Sequence, residues 1–146
     1  MPNGSIDLVA THPPYFGSVK YGGGGGNLSK AKSLEEYLAM FRRAAREIYR
    51  VLKPGGVLGI LVGDTRVRRY YVPTTHYVLL TLLDAGFALR EEVVKIQHNM
   101  KATRETWKKL KKDFLLIYHE KLYMLEKPKQ TAPKYSTELP FIELKI

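Results

Sequence analysis

The chain contains no cysteine. That excludes a disulfide framework and any thiolate metal site, and makes a reducing, intracellular setting the expected one. Acidic residues are also scarce: 14 Asp and Glu stand against 24 Lys and Arg, a formal charge of +10 and a pI near 9.7. Such a surplus favours a polyanionic partner through counterion release, nucleic acid first, although a merely basic solvated surface has the same composition. No apolar run is long enough to span a bilayer, and no charged-then-apolar leader opens the sequence. A cytoplasmic protein without a membrane partner is therefore expected. His76, His98 and His119 lack metal-ligand spacing and accompanying carboxylates, so no metal is expected, and no Ser-His-Asp nucleophile elbow is present. What is there, 146 residues with 45% hydrophobic and 11% aromatic content, suffices for one core.

The stretch "SIDLVATHPPYF" (5–16) reads as a strand that runs into a stiff corner. Ile6, Leu8, Val9 and Ala10 suit a strand covered on both faces, and Pro13 and Pro14 end its hydrogen-bond ladder. Gly22 to Gly26 predict a mobile loop; a pure pentaglycine is also what an introduced linker looks like. Neither a preceding strand nor a following Lys-Ser or Lys-Thr pair makes it a phosphate cradle. Ser33 and Glu36 have capping-box spacing, and Leu34, Leu38, Phe41, Ala45, Ile48 and Leu52 predict an amphipathic helix up to Lys53. "KPGG" (53–56) is read as its stop and "VLGILV" (57–62) as a second buried strand. The segment 65–72 reads as a loop, Pro73 and Thr74 open a helix through Ala85, Phe87 to Ile96 form a third strand, and a fourth lies near 119–126. This order implies an α/β fold of parallel strands flanked by helices, ending in an antiparallel strand pair.

Together, "SIDLVATHPPY", "RVLKPGGVLGILVGD", "GFALREEVVKIQHN" and "FLLIYHEKLYMLEKP" resemble the catalytic half of the DNA amino-methyltransferases that modify adenine N6 or cytosine N4. The resemblance spans about residues 3–128, a half-domain of a Rossmann-like methyltransferase sheet, with 129–146 as a tail. Its most specific element is the Asp/Asn/Ser-Pro-Pro-aromatic signature, here His12, Pro13, Pro14 and Tyr15, which the resemblance makes catalytic. An exocyclic amine is a poor nucleophile, so acceptors must be held rigidly against its hydrogens while a methyl donor lies in line. The resemblance implies a flipped base stacked on Tyr15, with Phe16 as a second wall and the Pro13 carbonyl as one acceptor. S-adenosylmethionine is the implied donor, touched by Thr11 and His12, and double-stranded DNA the implied partner.

The chain departs from the family pattern twice. Histidine replaces the usual first residue of the signature; neutral imidazole accepts a hydrogen bond and protonated imidazole does not, so activity resting on His12 is expected to fall below about pH 6. The Phe-x-Gly-x-Gly donor loop is absent, and half of the usual seven-stranded sheet with it. The expectation is a part of a split or truncated enzyme, or a chain completed by a donor-binding subunit or a second copy of itself. Asp64 is readable either as a functional side chain at a strand end or as a loop cap. Lys20, Arg66, Arg68, Arg69, Lys101, Arg104 and Lys108 are candidate nucleic-acid contacts, the arginines beside Tyr70 and Tyr71 and the later lysines around Trp107. A non-catalytic nucleic-acid-binding module and an RNA amino-methyltransferase remain alternatives.

Overall fold

The computed structural model describes residues 1–17, 27–98 and 114–130. Strand β1 (Ile6–Thr11) leads to the proline corner and, through a 3-10 turn at Leu28–Lys30, to helix α1 (Leu34–Val51). Ser33 caps this helix by accepting from the Glu36 N–H at 3.1 Å, and Glu36 reaches back to the Lys32 N–H at 2.8 Å. At the other end the Lys127 ammonium donates to the carbonyls of Tyr49 and Leu52, both at 2.8 Å, satisfying acceptors that a helix terminus leaves open.

The chain then passes straight into β2 (Leu52–Val62). "KPGG" therefore does not form a separate stop; it is the first part of the strand. The reason lies in its partners. β1 pairs through Ile6 and Leu52, slips register, and resumes at Leu8 and Val57, while Gly55, at φ +84°, and Gly56 exchange backbone hydrogen bonds with Lys127. A bulge that needs positive φ is built from glycine. The segment 65–72 is likewise no plain loop but a hairpin, β3 (Thr65–Val67) and β4 (Tyr70–Val72), in which Val67 pairs with Tyr70 across a two-residue tip. Helix α2 (Thr74–Asp84), β5 (Ala88–Ile96) and β6 (His119–Glu126) complete the described elements.

The main sheet has the order β1-β2-β6-β5, with β1 and β2 parallel and β6 antiparallel to both its neighbours. This is the expected α/β sheet with its antiparallel pair, β6 being inserted between β2 and β5. Leu58, Ile60 and Val62 of β2, with Tyr123 and Leu125 of β6, meet Tyr37, Phe41 and Ala45 of α1 and Val78 and Leu82 of α2 in one core. The register puts Leu8, Val57, Leu61, Leu122, Met124 and Val93 on the opposite face. There Leu8 is 59% and Val93 48% exposed, so β1 is not covered on both faces. β1 has one strand neighbour, β2, and neither helix among the described elements lies over that side. No helix among the described residues is long and apolar enough to cross a membrane.

Candidate functional site

β1 ends at Thr11, paired with Ile60, and delivers His12, Pro13, Pro14 and Tyr15 beside the carboxyl end of β2. Pro13 is buried, Pro14 and Tyr15 are half-buried, and the His12 side chain is exposed. Two anchors hold this corner. The first is Tyr37, fully buried on α1, whose hydroxyl donates to the Pro14 carbonyl at 2.9 Å. Its ring lies parallel to Phe41, and Phe16 packs on it with ring centres 5.9 Å apart. Phe16 is thus seated on the core cluster through Tyr37. With the Pro14 carbonyl taken, the Pro13 carbonyl is the one without a partner among the described residues.

The second anchor is Glu120 at the start of β6, only 5% exposed. Tyr15 donates its hydroxyl proton to this carboxylate, and the Lys95 ammonium, directly opposite in the β5–β6 register, donates to its other oxygen at 2.7 Å. Burial raises the Glu120 pKa, but hydrogen bonds from Lys95, Tyr15 and Gln97 and the charge of Lys95 outweigh it and hold the carboxyl below its ordinary value of 4.5. His12 Nε2 stands 2.6 Å from the Tyr15 oxygen and 4.0 Å from Glu120 Oε1. The corner is therefore a connected polar chain from β5 to solvent.

Gly63 makes room for it. A Cβ there would lie 2.7 Å from Tyr15 Cε2 and 3.0 Å from its Cζ, closer than carbon atoms pack. Gly63→Ala is expected to displace the Tyr15 ring and to cost about 1–3 kcal/mol by overpacking, read as a lowered urea midpoint.

Asp64, one residue on, is a cap. It accepts from the Thr75 N–H at 2.8 Å in the first turn of α2, where Pro73 offers no side-chain cap, and from the Tyr71 hydroxyl. Burial and that carboxylate push the Tyr71 phenol up. Arg66 is committed inside the molecule. Its guanidinium sits 4.3 Å from the Phe114 ring centre and 5.4 Å from that of Tyr71, and donates to the carbonyls of Arg69 and Leu115. Arg68 and Arg69 form the exposed hairpin tip, Arg68 at φ 59°. Lys20, Lys101, Arg104 and Lys108, with the pentaglycine and the tail from 131, lie outside the described residues.

Sequence reasoning did not single out Glu120, Lys95, Tyr37 or Gly63 for the site. Glu120 carried no distinguishing signal, since His119, Lys121 and Glu126 are polar residues of the same strand; Tyr37 carried a weak one, an aromatic four residues before Phe41 on an apolar helix face.

The structure is thus an α/β sheet with a proline-stiffened aromatic corner at the carboxyl end of its parallel strand pair. The sequence model of the DNA methylase family (N6 and N4 methyltransferases) matches residues 6–143, and the chain belongs to that family. Among solved structures it is similar to a protein of Thermus thermophilus assigned as a DNA modification methylase. In its complex with S-adenosyl-L-methionine that protein is 25% identical, with a TM-score of 0.65 over 93% of this chain and 53% of the other. A second form gives 24% identity, a TM-score of 0.66 and 93% and 50% coverage. The cytosine-N4-specific PvuII DNA methyltransferase aligns at 20% identity with a TM-score of 0.67, over 88% of this chain and 44% of its own. The chain thus spans about half the length of these relatives. No curated protein matches it.

Proposed function

We propose that this chain is the base-binding, catalytic portion of an enzyme that transfers a methyl group from S-adenosylmethionine to an exocyclic amine of adenine or cytosine in DNA. One observation carries the reading: the His12-Pro13-Pro14-Tyr15 corner stands at the carboxyl end of a parallel strand, braced by Glu120 on one side and Tyr37 on the other. Here the Pro13 carbonyl and His12 are the acceptors for the amine hydrogens, and the Tyr15 ring is the surface on which the flipped base stacks. The chain's own part in the reaction is to orient the amine and polarise its N–H bonds.

The described residues do not fit a whole donor site. They include no strand, glycine loop and helix in succession, and Thr11 and His12 at the end of β1 offer one wall only. The edge of β1 that no described strand pairs is where a complementing donor-binding portion would add strands, and the exposed face around Leu8 is where it would pack. Calorimetry separates the possibilities. The expected result is little or no S-adenosylmethionine binding by this chain alone, with base-dependent DNA binding retained. Stoichiometric micromolar donor binding by the isolated chain would contradict this division of labour. Binding that ignores an extrahelical base would favour a plain nucleic-acid-binding module, and preference for structured RNA over duplex DNA an RNA substrate.

Arg68 belongs to the same reading. A non-glycine residue at positive φ costs about 1–2 kcal/mol, and such a cost at an exposed basic hairpin tip suits a side chain retained for phosphate contact. Arg68→Gly is expected to raise stability by up to about 1 kcal/mol while lowering the salt slope of DNA binding by about one unit. Denaturation and salt-titrated binding on the same sample check both halves. Arg66→Ala, by contrast, is expected to loosen the contact with Phe114 and Leu115 and to move stability more than the slope.

A further inference from the structure

The polar chain at the corner has a direction set by its proton count. Tyr15 has a single hydroxyl proton. Glu120 is an acceptor only, since the Lys95 ammonium donates to its Oε2 at 2.7 Å, and that contact and charge favour the ionised carboxylate. The Tyr15 proton therefore goes to Glu120. The contact of 2.6 Å between His12 Nε2 and the Tyr15 oxygen must then be filled by a proton on the imidazole. Resting on the proposed reading of the corner, we infer that Glu120, acting through Tyr15, holds His12 as the Nε2–H tautomer and leaves Nδ1 as the ring's lone-pair acceptor for the substrate amine. Glu120 is then a positioning residue: it decides which edge of His12 accepts, without touching the base. Nδ1 has no hydrogen-bond partner among the described residues, and the His12 side chain is 55% exposed, so that edge is accessible.

Glu120→Gln reverses the chain. Lys95 requires an acceptor, so the amide oxygen stays with Lys95 and the amide nitrogen donates to Tyr15, which must now donate to His12 Nε2. The imidazole proton moves to Nδ1, and the acceptor edge is lost. Nitrogen-15 spectroscopy of the imidazoles distinguishes the two tautomers directly, at about pH 8 where histidine is neutral; His12 is assigned by difference from His12→Ala. The expected results are Nε2–H in the wild type, Nδ1–H in Glu120→Gln, and a free-imidazole mixture in Tyr15→Phe, which cuts the chain without a polar replacement. Should Glu120→Gln fail to fold, wild type and Tyr15→Phe still decide. Nδ1–H in the wild type, or a tautomer indifferent to the variants, overturns the inference. In the enzyme complete with its donor-binding portion, Glu120→Gln is expected to lower kcat about 100-fold, the scale on which one positioned hydrogen bond acts in a transition state. If the tautomers behave as expected while His12→Ala binds an extrahelical base as tightly as wild type, the reading of the corner fails and the tautomer assignment stands.

Discussion

Tyr15→Ala is expected to weaken binding to a duplex carrying an extrahelical base by about 1–3 kcal/mol, roughly 5- to 150-fold in Kd, and to destabilise the fold as well. A ring facing an open pocket would lose binding alone, and a ring sealed in a core would lose stability alone. Tyr15 is neither: it is half-buried against Gly63, and its hydroxyl serves a buried carboxylate. Truncation removes both the ring contacts and one of the donors to Glu120; the latter alone costs about 1–3 kcal/mol. Tyr15→Phe separates the effects, keeping the stacking surface and losing the hydrogen bond. The pH dependence of the stability adds a check. Because the Glu120 carboxyl is held below 4.5, its contribution is present above that value and is lost as pH falls through the lower folded value. Either Tyr15 variant is expected to shrink this acid-sensitive component. Urea denaturation between about pH 3 and 7, with base binding measured alongside, tests the set. Unchanged stability in Tyr15→Ala would mean that Glu120 does not rely on Tyr15.

The largest loss of stability is expected from Tyr37→Ala, about 3–5 kcal/mol, because a fully buried aromatic leaves a cavity that its neighbours only partly close. Those neighbours are Phe41, stacked on it, and Phe16, which reaches in from the corner. Tyr37→Phe fills the space and removes only the hydrogen bond to Pro14, at about 1 kcal/mol. Burial pushes the Tyr37 phenol up to about 12, so the hydroxyl remains a donor throughout the physiological range. Without that hydrogen bond the Pro14 carbonyl loses its anchor to α1, and the corner that carries Tyr15 is held less firmly. The phenylalanine variant is thus expected to fold nearly as well as wild type yet to bind base less selectively. Denaturation midpoints for both variants, with competition between matched and extrahelical-base duplexes, measure these effects; equal stability losses in the two would place the Tyr37 contribution in its hydroxyl instead of its ring.

Most of the elements were legible because each rests on a local rule. Ser33 and Glu36 mark the start of α1 through side chains three residues apart, Pro73 that of α2, and the apolar spacing of β6 its position near 119–126. The errors fell where the outcome depended on a distant partner. "KPGG" looks like a helix stop, and it is a strand start because Lys127, over seventy residues away, supplies its hydrogen bonds. Residues 65–72 look like a basic loop, and they pair as a hairpin in which Arg66 is held by Phe114 and Leu115 from the far side of the chain. Leu8 looks buried on apolarity alone, yet burial is a property of what lies opposite, and among the described residues β1 has one strand neighbour.

The sequence by itself determined the α/β order, the proline corner at the end of β1 and the basic balance. Composition, periodicity and proline stereochemistry act within a few residues and are fully present in the string. Only the tertiary structure decided what holds the corner. Glu120 lies 105 positions from Tyr15 and Tyr37 lies 23 from Pro14. A hydrogen bond across such distances exists only once the pairing of β1 with β2 and of β2 with β6, and the packing of α1, have brought its two ends together, and no local rule encodes that meeting.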